Sequence, residues 1–283
     1  RRREREQEAG GFFVHLPTAF LTLALGQQPQ LIILIVNLPI LGWRETNLSA
    51  LLAAIPDLHF SIENNSNAAA FGAVYTQPDT QVPCTVFLKL GTGCGGAAIV
   101  NGRLLRGADG TGTEFGHINL GQPGAPCSCG QTGCLETWVN LAALSRSYLG
   151  RDPAPGDDIA ALPAVVADAF AKGDAAALRA TQSLAAHLSA GLATLVNIFN
   201  PSQIILGGAM RPVLDCCLDD IRTDVARRII PGTRMPDIQI SHLGAFECAI
   251  GAACNVADAG RAELGLARIR QSRRLLALHQ DLR

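Results

Sequence analysis

A surplus of charge of either sign is what this sequence most plainly lacks. Twenty-three lysines and arginines stand against 24 aspartates and glutamates, for a net charge of -1, and charged residues make up only 17% of 283. No global field therefore draws the chain to nucleic acid or to a membrane. Apolar runs long enough to span a bilayer are missing as well: LIILIVNLPIL (31–41) is too short, and GFFVHLPTAFLTLALG (11–26) is interrupted by His15 and Pro17. RRREREQE ahead of that run imitates a secretory leader, but no small-residue cleavage site follows. It reads most simply as a solvated helix face or terminus, with a nucleic-acid arm as the lesser alternative. There is no initiator methionine, and residues 1–36 read as strands and a helix of a domain whose front is missing or altered. No short-period repeat is visible. Nine cysteines, an odd number with three clustered, exclude a secreted disulfide framework and place the chain in the reducing cytoplasm.

What the chain does have is one loop dense in chemistry. Between Glu114 and Glu136, His117, Cys127, Cys129 and Cys134 offer one imidazole and three thiolates within eighteen positions. Soft sulfur with borderline nitrogen is the ligand set of a closed tetrahedral zinc site. Gly130 and Gly133 let the backbone fold so that Cys129 and Cys134 face one ion, while Pro123, Gly124 and Pro126 mark a loop that needs a staple. The spacing is not a common finger pattern, so four residues that merely fall close together is the competing reading.

Around that loop the pattern alternates strand and helix, which predicts parallel sheets of βαβ units. Expected strands are LIILIV (31–36), a strand in HFSIENN, TVFLKL (85–90) with AAIV as hairpin partner, QIILGGA (203–209) and IQISHLG. Asn101-Gly102 is a type I′ turn signal. Expected helices start at Leu48 behind an Asn47 cap, at the alanines after Asn67, across LETWVNLAALSRSYL as one piece, twice between Ala161 and Asn200, to about Arg228, and near CAIGAACNVADAG. At 283 residues there is room for two domains. Gly91, Thr92, Gly93, Gly95 and Gly96 form a glycine turn whose backbone N–H groups suit a phosphate, although such turns also serve plain hairpins. His187 reads as a core or interface residue, and Cys216-Cys217 cannot act as a C-x-x-C pair.

The glycine turn, the phrase Thr-Glu-Phe-Gly-His and the uninterrupted CSCGQTGCLE together resemble the ROK family (repressors, open reading frames and sugar kinases), over about Asn37 to Asp258. The resemblance implies a two-lobed actin-like, hexokinase-like α/β ATPase fold. Its parts here would be a partial first lobe over 1–83, a second lobe over 84–258 carrying the zinc loop 114–136, and a C-terminal helix over 259–283. It makes Glu114 and Glu136 acceptors for sugar hydroxyls, and gives His117 one nitrogen on zinc and one near the sugar. Asn64 takes a neighbouring sugar-binding position, and Gly207 with Gly208 match a turn that contacts adenosine in family kinases. The family's catalytic aspartate corresponds to Asn65, and an amide cannot accept a proton at neutral pH. Nothing before Asn37 matches the family's first phosphate turn, or a helix-turn-helix.

Two readings follow. One is a non-catalytic, sugar-sensing protein like the ligand-binding part of ROK regulators, with structural zinc, a hexose or N-acetylhexosamine as ligand, a homodimeric state, and DNA contact only through a missing N-terminal domain. The other is an ATP- and Mg²⁺-dependent hexose or N-acetylhexosamine kinase altered at its front. Asn65 discriminates between them.

Overall fold

The computed structural model describes residues 13–16, 19–24, 35–38, 43–47, 59–77, 82–108 and 110–263, with side chains placed between Glu63 and Asn255. The front of the chain contributes strands β1 (Phe13–Leu16), β2 (Ala19–Ala24), β3 (Ile35–Leu38), β4 (Trp43–Asn47) and β5 (His59–Asn64). The order β1-β2-β5 is antiparallel throughout, and β3 pairs antiparallel with β4. This corrects the expectation of parallel units here. Two residues join β1 to β2 and four join β3 to β4, whereas a parallel crossover needs a dozen or more. The strand expected at 31–36 is described as 35–38, and the helix expected from Leu48 lies outside the described residues.

Helix α1 (Asn65–Tyr75) begins where β5 ends, because Asn64 Oδ1 accepts from the backbone N–H of Ser66 (2.8 Å) and Asn67 (3.4 Å). Strands β6 (Cys84–Leu90), β7 (Cys94–Val100) and β8 (Arg103–Leu104) then form an antiparallel meander. Left-handed backbone at Asn101 (φ 50°) and Gly102 (φ 75°) makes the expected tight turn. Next come α2 (Glu136–Val139), α3 (Leu141–Leu149), α4 (Leu162–Ala171) and α5 (Ala175–Phe199). Strand β9 (Gln203–Gly207), α6 (Arg211–Arg228), β10 (Asp237–Ile240) and α7 (Glu247–Glu263) complete the described chain. The second sheet runs β10-β9-β6-β7-β8, parallel from β10 to β6.

The single helix expected over 135–149 is two, α2 and α3. Asn140 is extended (ψ 175°) and caps Ala143 N (2.8 Å), while Leu141 N donates to Gly91 O (2.9 Å). The break therefore ties α3 to the glycine turn.

The β6–β9 ridge is buried on both faces, as its continuous apolar run requires. Val86, Leu88, Ile204 and Leu206 pack toward Leu188, Leu192 and Val196 of α5 and Val213 and Leu214 of α6. Phe87 and Ile205 pack toward Ala69, Ala70 and Ala73 of α1 and Cys248 of α7. Each such large side chain contributes about 1.5–3 kcal/mol on burial. Helices α1 and α7 cross at Gly72 and Gly251, where the backbones touch: a Cβ on Gly251 would lie 1.7 Å from Ala68 O. Because α7 also lies against β2, it joins both sheets. The carboxyl ends of β6 and β9 and the start of α1 thus meet at one end of the molecule. Among the described residues no helix is long and apolar enough to cross a membrane.

Candidate functional site

His117 ends a one-turn 3-10 helix (Phe115–His117) whose Phe115 is buried edge-on to Phe199. The chain then folds into a small knot. Isolated bridges pair Asn119 with Cys134 and Pro126 with Thr132, and Asn119 Oδ1 accepts from Gly121 N (2.7 Å). Gly133 is left-handed (φ 81°), and a Cβ there would lie 2.6 Å from Gln122 O, so glycine is required.

That fold brings all four expected ligands together. Their ligand atoms lie within 4.8 Å of one another, with His117 Nδ1 at 3.4 Å from Cys127 Sγ and Cys129 Sγ at 3.7 Å from Cys134 Sγ. A tetrahedron with Zn–S of about 2.3 Å spaces its sulfurs by about 3.8 Å, so this set can hold such an ion. Burial pushes the Cys134 thiol up to about 12, while backbone hydrogen bonding at Gln131 draws Cys129 down. A divalent cation held by these four residues would favour the thiolate form of both. Since Nδ1 faces the thiols, Nε2 is the imidazole nitrogen left for a ligand.

Glu136 connects this knot to the glycine turn. Its Oε2 accepts from Cys94 N (2.9 Å), and Oε1 lies 3.8 Å from Cys127 Sγ. The turn closes on itself through Gly91 N to Gly93 O (2.9 Å), and Thr92 at its tip is exposed. Gly95 and Gly96 lie within β7, opposite Lys89 and Leu88. There a Cβ would strike Ser66 Oγ (2.0 Å) or Phe115 Cδ2 (2.3 Å), so both are glycine for close packing. Burial raises the Cys94 thiol far above its ordinary range, which leaves it a packing group. Glu114 is exposed at the head of the 3-10 turn.

The Glu63–Asn67 phrase divides its labour. Asn64 spends its side-chain oxygen on the α1 cap, so its amide N–H₂ is what it offers a ligand. Asn65 is half-buried and lines a cavity of about 560 Å³ together with Lys89, Gly208, Arg211, Asp215 and Glu247. Glu63 is buried, and its carboxylate accepts from both Arg106 Nη atoms (3.1 and 2.5 Å), Asn67 Nδ2 (2.9 Å) and Asn64 N (3.0 Å). That network fixes the strand end from which Asn65 projects.

The ROK family model matches residues 18–259. The chain belongs to the ROK family. It is 32% identical over 229 residues to a glucokinase of Streptomyces coelicolor, covering 76% of this chain and 72% of that one. It is 30% identical over 198 residues to the xylose repressor of Bacillus spizizenii, covering 70% of this chain but only half of the repressor. Among solved structures it resembles a ROK glucokinase from Streptomyces griseus in complex with glucose and AMPPNP (TM-score 0.61, 31% identity, 75% and 72% covered). It resembles equally a ROK transcriptional regulator homologous to the E. coli MLC protein (TM-score 0.63, 25% identity, 75% and 56% covered).

Within this ROK chain, the motif residues fall into two neighbouring groups. Glu136 and His117 gather on the cysteine knot, whereas Asn65 and Gly208 share the cavity at the ends of β6 and β9. Sequence reasoning gave no role to Glu63, Arg106, Lys89, Arg211 or Glu247. The available signal for Glu247 was a lone acid opening the apolar stretch CAIGAAC; Glu63 heads the asparagine phrase.

Proposed function

We propose that this ROK protein binds a hexose or N-acetylhexosamine and reports its presence without phosphorylating it. The observation that carries the reading is Asn65, an amide in the cavity at the position of the aspartate base of family kinases. An amide oxygen is too weakly basic to take the hydroxyl proton at neutral pH, so turnover should fall by about 10²–10⁴-fold. In this reading the ion held by His117, Cys127, Cys129 and Cys134 is zinc in a closed, structural site. It fixes the loop that presents Glu114, His117 Nε2 and Glu136 to sugar hydroxyls, with the Asn64 amide as a further donor. Nine cysteines without a disulfide suit a cytoplasmic setting. A homodimer, and DNA contact through a further domain, belong to the same reading.

A coupled ATP-consumption assay across a hexose panel, run on the protein and on Asn65→Asp, tests it. Silence of the unmodified protein is expected, alongside stabilisation of about 2.7 kcal/mol by the cognate sugar at a hundred times its Kd. Turnover by the unmodified protein would overturn the reading.

A second reading, an ATP- and Mg²⁺-dependent sugar kinase, is favoured by the glucokinase relatives and by the turns at Gly91 to Gly96 and Gly207-Gly208. Under either reading, Glu114→Ala should weaken sugar binding roughly 10–100-fold, the loss of a charge-assisted hydrogen bond of about 1.5–3 kcal/mol. The metal should stay. Calorimetry with elemental analysis checks both, and unchanged sugar affinity would remove Glu114 from the site.

A further inference from the structure

The cavity at the strand ends is the place a nucleotide would use under the kinase reading, so its own groups can be tested against that ligand. Strand carboxyl ends with a following helix N-terminus are where phosphates bind in α/β folds. Lys89 and Arg211 line the cavity, and Arg211 Nε is buried without a hydrogen-bond partner. Taken alone, those two cations suit a polyphosphate.

The carboxylates reverse that balance. Asp215 and Glu247 line the same cavity and offset both cations. Glu247 is 2% exposed, and neither of its oxygens closes a hydrogen bond of normal geometry. The Ser241 hydroxyl, the Gly208 amide, Lys89 and Arg211 draw its acidity the ordinary way, but burial outweighs them and raises its pKa. No ion pair within 4 Å joins it to Lys89 among the described residues. Its Oε2 lies 2.4 Å from where a Cβ on Gly207 would sit, so it fills the room that glycine leaves over the turn.

We infer that Glu247 closes the Gly207-Gly208 turn to magnesium–nucleotide, making the cavity of this chain selective against polyphosphates. Ionised, the carboxylate repels a phosphate laid over the turn, and its own burial leaves that repulsion less screened than at the surface. Protonated, it still occupies the space above Gly207. ATP therefore does not fit these residues, in contrast to the AMPPNP found with the Streptomyces griseus relative. The inference deepens the non-catalytic reading, and rests on the likeness to family kinases for the cavity's place on the nucleotide side.

The test is calorimetric titration of AMPPNP with Mg²⁺ into the protein, Glu247→Gln and Glu247→Ala. Glutamine removes the charge and keeps the volume, whereas alanine removes both. Affinity should rise at least tenfold in Glu247→Ala and by a smaller factor in Glu247→Gln. Tight binding by the unmodified protein, or variants that bind no better, would overturn the inference. Stabilisation of each variant by the cognate sugar is measured alongside. Its presence shows that the variant folds, and its absence in the unmodified protein would sink the sugar reading while the nucleotide comparison stands on its own.

Discussion

Replacing Cys134 by serine is expected to empty the metal site and melt the loop from His117 to Cys134 while the sheet stays folded. Cys134 is 2% exposed, and its sulfur is 3.7 Å from that of Cys129, so no neighbouring thiolate can take its place. Structural zinc sites in small peptides contribute an apparent ~10–16 kcal/mol at neutral pH, essentially all of it folding free energy. Little else would hold this loop: Gly121, Gln122, Pro123 and the residues from Ser128 to Thr132 are exposed. The damage should stop at Leu135. That side chain packs on Gly191 of α5, and Trp138 stacks flat on His187 (4.1 Å between ring centres, 9° between planes). Because Glu136 bridges the knot and the Cys94 amide, sugar affinity should drop as well. Elemental analysis should fall from one metal per chain to none, and limited proteolysis should cut between Gly121 and Gly133. Undiminished metal content would reject the four-ligand assignment, and a chelator should reproduce the variant's behaviour in the unmodified chain.

Local chemistry is what the sequence made legible. Asn101-Gly102 and the cysteine knot depend on neighbours no more than eighteen positions apart, and each is found in place. Pairing partners and long-range contacts were less readable. The antiparallel front followed from link lengths that periodicity does not report. The break at Asn140 depends on Leu141 reaching back to Gly91, fifty residues earlier in the chain. Glu63 and Arg106 lie 43 residues apart and meet only because β7 and β8 fold back beside α1. In the same way, Glu247 reads as a solvated acid until Gly207 is seen beneath it, since nothing in a helical pattern says that its first residue will be covered.

Glycine at 251 decides how closely α7 can approach α1, and here two effects of opposite sign can be weighed. In an isolated helix, Gly251→Ala would stabilise by about 1 kcal/mol, because alanine restricts the unfolded chain and glycine does not. In this fold the added carbon would sit 1.7 Å from Ala68 O, 2.4 Å from Ala68 C and 3.0 Å from Gly72 N. All three are backbone atoms of α1, so no rotamer change makes room, and the helices must part by an ångström or more. Separation strips contacts from Ala69, Ala70, Ala73 and Cys248, which fill the layer beneath Phe87 and Ile205. Overpacking typically costs about 1–3 kcal/mol and more where backbone must move, so the steric term wins. At the upper end of that range the net loss is roughly 2 kcal/mol, a fall of about 4–8 °C in the melting temperature for a chain of this size. The displacement would also carry Glu247, at the start of α7, away from Gly207, so nucleotide exclusion should weaken along with stability. Thermal unfolding of Gly251→Ala beside a solvent-facing control in α6 measures the first effect. A melting temperature equal to or above that of the unmodified protein would mean that propensity outweighs the contact and that the helices are not held this close.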